Sequence, residues 1–345
     1  MNWFETLQKT SRPYLIAEAG VNHNGDIRLA HELIDVAKAS GADAVKFQTF
    51  VTENLMSPSA PLADYQKKSG ELSQFEMAKQ LELSFDDFIT LKKYAEKQGI
   101  TFLSTPDEEE SLEFLVSLNL EAIKVGSGEL TNLPFLRLIA KANRPVILST
   151  GMSTLVEIEK AVSAIRSLGN HQIVLLHCVS EYPAPFADVN LKAMQTMRET
   201  FQLPVGFSDH TLGFSVSLAA AALGASVIEK HFTLDKSMKG PDHACSLEPS
   251  ELKALADGLK EIALAMGNGI KVPAPSELKN REVVRKSIVA KKDISAGEVL
   301  TEHHFAFKRS GGGIEPSDAD KLIGLKLKKN IKKDSPLEWS LLEHV

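Results

Sequence analysis

The chain has 345 residues, 43% of them hydrophobic and 24% charged, and a net charge of −6. That length exceeds what one hydrophobic core usually organises, so one large and one small domain are expected; the acidic balance offers no general attraction for nucleic acid or an anionic membrane, so an anionic substrate must be held by local cations. No apolar run approaches the ~20 residues of a membrane helix, the opening MNWFETLQKT shows no export-signal pattern, and two cysteines, Cys178 and Cys245, make no disulfide framework, which together point to a cytoplasmic protein.

From Tyr14 to about Gly267 short β-branched runs alternate with segments of helical period. The expected strands are Leu15–Ala19, Ala44–Thr49, Thr101–Thr105, Ala122–Gly126, Pro145–Thr150, Ile173–Cys178, Val205–Ser208 and Val227–His231. Helices follow near Ile27–Ser40, Ser84–Gln98, Glu108–Leu118, Pro134–Ala142, Leu155–Leu168, Leu191–Phe201, Phe214–Leu223 and Glu251–Ala265. Eight β-α pairs over this length predict an α/β fold, a (β/α)8 TIM barrel. The acids Asp107 to Glu110 read as a helix start, where the macrodipole favours them. Val51 to Gln80 is the longest irregular stretch and a candidate lid.

The barrel domain is expected over residues 1–268, a proline-containing linker over 269–282, and a small mostly-β domain over 283–345. This tail carries an internal echo: KKDISAGEVL from Lys291 resembles KKNIKKDSPL from Lys328, which suggests pseudo-twofold character. Between the halves, Lys308 and Arg309 precede Ser310 and three glycines. That is loop material in which Arg309 either reaches a ligand or is solvated.

In such a barrel, chemistry gathers where the strands end. The residues there are Glu18, Asn22 and His23; Lys46 and Gln48; Ser104 and Thr105; Lys124, Ser127 and Glu129; Ser149 and Thr150; His177, Ser180 and Tyr182; Ser208, Asp209 and His210; Glu229, Lys230 and His231. Every end is polar, whereas strand bodies such as VILS are apolar. His210 and His231 close two neighbouring parallel strands and can meet at one divalent metal; the bland alternative is a pair of histidines satisfied by backbone carbonyls. Two nitrogen ligands with open positions suit a catalytic Mn²⁺, Zn²⁺, Fe²⁺ or Co²⁺. Asp209 and Glu229 are candidate orienters of the two rings, and His23 and His177 read as hydrogen-bonding residues before ligands. Lys46 and Lys124 leave apolar strands and need an anion, either a small multiply charged ligand or a barrel carboxylate such as Glu18 or Glu129. Thr105, Ser127, Ser149, Ser180 and Ser208 add neutral donors, and Gly126-Ser127-Gly128 allows close backbone approach. A Schiff-base lysine is a further reading.

The ordered motifs AEAGVNHNG, VKFQTF, FLSTP, IKVGSGE, ILSTGMS, LLHCVSEYP, VGFSDHTLG, IEKHFTLD, GPDHACSLEP, KSIVAKKDI and KRSGGG resemble those of the sialic acid synthases over nearly the whole chain, including a tail similar to their SAF (antifreeze-like) domain. The resemblance implies a transferase that condenses phosphoenolpyruvate with an N-acylated mannosamine-type sugar, either N-acetylmannosamine or 2,4-diacetamido-2,4,6-trideoxymannose. The products would be a nine-carbon sialic acid, N-acetylneuraminate or legionaminate, and phosphate. The alternatives are a pseudaminic acid synthase or another phosphoenolpyruvate-dependent 2-keto sugar acid synthase. It further implies a metal, usually Mn²⁺, on His210 and His231. Phosphoenolpyruvate would fall to Lys46, Thr105, Lys124, Ser127, Ser149, Ser180 and Ser208, and the sugar to Glu18, Gln48, Tyr182, Asp242 and Arg309. Glu18 or Glu129 would position water or stabilise charge. Arg309 is expected from a partner subunit in a domain-swapped homodimer. Ser180 departs from members that have Asn there. An ice- or glycan-binding tail on an inactive barrel is the reading from another class.

Overall fold

The computed structural model describes residues 3–61 and 73–344. The chain divides into two compact units, Met1–Gly267 and Asn268–Val345. Among its described residues the first has eight strands: β1 (Tyr14–Gly20), β2 (Ala44–Thr49), β3 (Thr101–Pro106), β4 (Ile123–Val125), β5 (Val146–Ser149), β6 (Ile173–His177), β7 (Val205–Asp209) and β8 (Val227–His231). Its helices are α1 (Trp3–Lys9), α2 (Ile27–Ser40), α3 (Thr52–Leu55), α4 (Gln74–Leu81), α5 (Phe85–Gln98), α6 (Glu109–Ser117), α7 (Leu133–Lys141), α8 (Leu155–Arg166), α9 (Lys192–Phe201), α10 (Ser215–Ala222) and α11 (Pro249–Met266).

The strands pair in parallel in the order β3-β2-β1-β8-β7-β6-β5-β4. The two ends of that order, β3 and β4, pack against each other, so the sheet curls into the expected (β/α)8 barrel. Strand alternation sorts the core into two populations. Leu15, Ala17, Val45, Phe47 and Val125 face the surrounding helices. Ile16, Ala44, Leu103, Ala122, Ile147, Val174, Leu176 and Val227 fill the barrel interior, where Trp3 and Leu7 of α1 join them. Two residues further along β1 to β5 and β8 the inward side chains turn polar, at Glu18, Lys46, Thr105, Lys124, Ser149 and Glu229, which raises the site directly on an apolar floor.

Three helices lie outside the eight predicted pairs. α1 packs Trp3 edge-on to Tyr14, ring centroids 5.5 Å apart. The stretch Val51–Gln80 is less irregular than expected, because it holds α3 and most of α4. The latter starts with a capping box in which Ser73 and Glu76 satisfy each other's amides. The remainder of the candidate lid, residues 62–72, lies outside the described residues.

In the second unit the expected linker is partly helical: α12 (Leu278–Val284) follows a short turn at Pro275–Glu277, and residues 268–286 bury no side chain. Beyond it β9 (Ser287–Ala290) pairs antiparallel with β10 (Phe305–Lys308), and β11 (Lys326–Leu327) with β12 (Leu342–Glu343); a helix of one turn, α13 (Ala319–Leu322), lies between. The internal echo is structural. Ile294 and Ile331, equivalent in the two halves, bridge each other with reciprocal 2.9 Å hydrogen bonds. Val299 bridges Lys326 as Pro336 bridges Val289. Gly297 and Asp334 take the same left-handed turn conformation, φ 82° and 66°. The unit closes over its own core of Ile288, Leu300, Leu322, Leu337 and neighbours.

Candidate active site

The register brings the polar residues together. Glu18 on β1 is opposite Lys46 on β2 and His231 on β8, Gln48 is opposite Thr105, and Ser208 is opposite Glu229. With Lys124 and Ser149 these form a ring at the C-terminal end of the barrel and line one cavity of about 390 Å³, shared with Ser127, Ser180, Tyr182 and His210.

Lys46 and Lys124 are buried, and each has partners. Lys46 Nζ lies 2.7 Å from Glu18 and 3.8 Å from Glu229, and donates to Thr105 Oγ1 at 3.1 Å. Lys124 Nζ donates to Ser149 Oγ at 2.8 Å and lies 3.5 Å from Glu229. The carboxylate alternative and the ligand alternative are therefore both built in, although Glu18 and Glu229 serve rather than Glu129. Burial raises Glu18 to about 8, against the pull of Lys46. Burial also opposes charge on Glu229, but Lys124, Lys46 and the Ser208 hydroxyl outweigh it and bring the group down to about 2. Two lysines and two carboxyl groups thus share this layer, with Glu18 far less acidic than Glu229. Burial lowers Lys124, whereas Glu18 and Glu229 hold Lys46 charged despite its burial.

Beside the lysines lies a hydroxyl cradle. Ser127 Oγ accepts from Gly151 N at 3.0 Å and lies 3.3 Å from Cys178 Sγ. A Cβ at Gly151 would fall on Ser180 Oγ and 2.8 Å from Ser127 Oγ, so this position excludes a side chain. Cys178 is buried against the cradle.

His210 donates its Nδ1–H to the Val179 carbonyl at 2.6 Å, which leaves the Nε2 lone pair on the cavity side, 3.3 Å from Ser208 Oγ. His231 Nδ1 is buried without a hydrogen-bond partner, 3.8 Å from Asp242 Oδ2. The two ring centroids are 5.7 Å apart, and Tyr182 packs 4.2 Å from His210 and 5.7 Å from His231. Burial lowers His210 to about 4 and His231 well below the usual histidine range, so both rings stay neutral, the form that binds metals. A carbonyl-oriented imidazole and an orphaned buried nitrogen fit a divalent ion. Among the described residues no group of three or more His, Cys, Asp or Glu is arranged to hold one, so other oxygens would complete the shell.

Several strand-end residues turn away from the cavity. Thr150 donates to Leu176 O, His177 contacts Val189 O and the Phe207 ring, and Ser104 bonds Thr49. Asp209, expected to orient its histidine, instead accepts from Thr211 and Ser217 and pairs with Lys230 at 3.4 Å on the helix side. Glu229 faces inward but is engaged by Ser208 at 2.9 Å and the lysines, not by a ring. Asn22 and His23 pack beside the site: Asn22 donates to Phe232 O, and His23 accepts from Gly25 N. Glu129 accepts from Asn132 at 2.7 Å and is absent from the cavity wall. Asp242, Gln48 and Tyr182 line a second, adjoining cavity. Asp107, read as part of a helix start, lines both cavities. Arg309 is exposed in the second unit, just after β10.

A barrel that ends in paired lysines, a hydroxyl cradle and two neutral histidines, followed by a small β unit with an internal echo, defines the class. The chain belongs to the NeuB family: the family model matches residues 33–271, and the SAF domain model matches residues 285–343. It is 52% identical to the N,N'-diacetyllegionaminic acid synthase of Campylobacter jejuni subsp. jejuni serotype O:2, over 93% of this chain and 97% of that protein. It is 46% identical to the protein of the same name from Legionella pneumophila subsp. pneumophila, over 96% and 94%. Among solved structures, the N-acetylneuraminic acid synthetase of Leptospira borgpetersenii serovar Hardjo-bovis, in complex with citrate, superposes with a TM-score of 0.70 at 35% identity, covering 79% of this chain and 93% of that one.

Proposed function

We propose that this chain condenses phosphoenolpyruvate with 2,4-diacetamido-2,4,6-trideoxymannose and water to give N,N'-diacetyllegionaminic acid and phosphate. The observation that carries the reading is the single cavity in which Lys46, Lys124 and the hydroxyl cradle face His210 and His231. The similarity to two N,N'-diacetyllegionaminic acid synthases supports the choice of acceptor.

The lysines and Thr105, Ser127, Ser149, Ser180 and Ser208 hold the phosphate and carboxylate of phosphoenolpyruvate. His210 and His231 would hold a divalent ion, Mn²⁺ by family resemblance, which when bound would supply Lewis-acid polarisation of the sugar aldehyde. C3 of phosphoenolpyruvate forms a bond to the aldehyde carbon, and the carbonyl oxygen takes a proton. Glu18, whose proton affinity burial raises and which lies between Lys46 and His231 in the sheet, is the donor. Water then adds to the cationic C2 and returns a proton to Glu18. The tetrahedral centre collapses to the ketone with cleavage of the C–O bond, and its hydroxyl proton leaves with phosphate. The SAF unit contributes Arg309 to the sugar site of a partner barrel in a homodimer, a reading supported by family resemblance and by the exposure of Arg309. No described helix is long and apolar enough to cross a membrane, in keeping with a cytoplasmic enzyme.

Phosphate release measured with each component omitted tests the reaction. Release is expected only with phosphoenolpyruvate, acceptor and divalent metal together, and a chelator abolishes it. Release without acceptor, or unaffected by chelation, would refute the reading.

A further inference from the structure

Asp107 is a carboxylate that the reaction above leaves unused. It follows β3, immediately before α6, yet it does not cap that helix. Glu108 does, accepting from the amides of Glu110 at 2.7 Å and Ser111 at 3.0 Å. The Asp107 amide is tied to Thr49 O at 3.2 Å, which fixes the backbone while the side chain lines both cavities. Among the described residues, none hydrogen-bonds to its carboxylate. A fixed, unpartnered acceptor on a cavity wall is a recognition group awaiting a donor.

The second cavity, about 150 Å³, shares Gln48, Asp107, Tyr182 and His231 with the first. An acceptor whose aldehyde lies at the histidines, with the anion on the lysine side, therefore extends its carbon chain this way. The chamber has an apolar floor of Val21, Phe50, Leu55, Met56, Met77 and Leu81, supplied largely by α3, α4 and the residues beside them. Such a floor leaves hydroxyl groups without partners and is complementary to methyl groups. Facing it, Asp107 and Asp242 offer acceptors, which suit amide N–H groups.

We infer that this chamber selects the acceptor sugar. Asp107 accepts a hydrogen bond from the acetamido N–H remote from the aldehyde, and the floor around Phe50, Met56 and Leu81 takes a methyl group where other acceptors carry a hydroxymethyl. The inference rests on the synthase reading and assigns its specificity to residues outside the lysine and histidine set.

The test is steady-state phosphate release with 2,4-diacetamido-2,4,6-trideoxymannose and with N-acetylmannosamine, for the native protein, Asp107→Ala, Asp107→Asn and Met56→Gln. Asp107→Ala should lower kcat/KM for the diacetamido acceptor by about 10- to 100-fold, the usual cost of leaving a buried donor without its acceptor. It should affect N-acetylmannosamine far less. Asp107→Asn, which keeps an acceptor oxygen, should recover part of the loss. Met56→Gln should narrow the preference between the two sugars by about tenfold. Equal losses on both acceptors in Asp107→Ala, or an unchanged preference in Met56→Gln, overturn the inference while leaving the synthase reading standing. A native protein that releases phosphate with neither sugar removes both.

Discussion

Glu18 lies across one ladder from Lys46 and across the other from His231, between the groups proposed to hold the anion and the aldehyde. Glu18→Gln keeps the shape and removes the transferable proton. The expected result is a kcat lower by about 10²- to 10⁴-fold, the usual worth of a general acid or base, with phosphoenolpyruvate still bound. A variant that turns over at the native rate would take the proton role from Glu18. His23 carries a different consequence. Its Nδ1 accepts from Gly25 N at 3.0 Å, so the proton is on Nε2, which is buried without a partner beside the Phe47 ring. Burial lowers this histidine to about 4. The unfolded chain binds the proton first, near pH 6.5, so the stabilisation is complete above pH 6.5 and is lost as pH falls towards 4. Over that window His23 should account for about 3 kcal/mol of acid destabilisation. Urea unfolding of native and His23→Phe proteins at pH 7 and pH 4 checks this: the variant should lose less stability on acidification, and parallel losses would contradict the assignment.

At the scale of elements, the strands were legible because short β-branched runs between helical periods admit little else, and β2 and β8 have the predicted bounds. Every strand end is polar, but only the inward members of each alternating pair reach the cavity. Ser208 and His210 enter while Asp209 between them turns to Ser217 and Lys230. Period-two alternation, applied to every strand from its apolar interior residue, would have separated the two sets. Glu129 sits in a 3-10 turn beyond β4, where strand alternation has ended, so the strand pattern could not give its direction. Asp107 was hidden because three further acids follow it and the run reads as a helix start; only the geometry of Glu108 as cap releases it. The helices α3 and α4 are too short to show a period, although Ser73 and Glu76 spell a capping box in the sequence.

At the scale of the whole chain, the division into a barrel and a small β unit was readable from the proline-rich break, and it falls at Gly267. The echo in the tail was readable because a bridge between Ile294 and Ile331 demands equivalent residues on both sides. The role of Arg309 belongs to this scale, since family resemblance assigns it to a partner's site. Arg309→Ala chains mixed with His231→Ala chains, each inactive alone, should regain activity after subunit exchange, and no recovery after verified exchange would contradict a shared site. The central claim is a condensation in which phosphate departs by C–O cleavage. Phosphoenolpyruvate labelled with ¹⁸O at the bridging oxygen, incubated with 2,4-diacetamido-2,4,6-trideoxymannose and followed by mass spectrometry, tests it most directly. The label should leave entirely in the phosphate, with an unlabelled nine-carbon keto acid beside it; label retained in the keto acid, or no keto acid formed, would contradict the account.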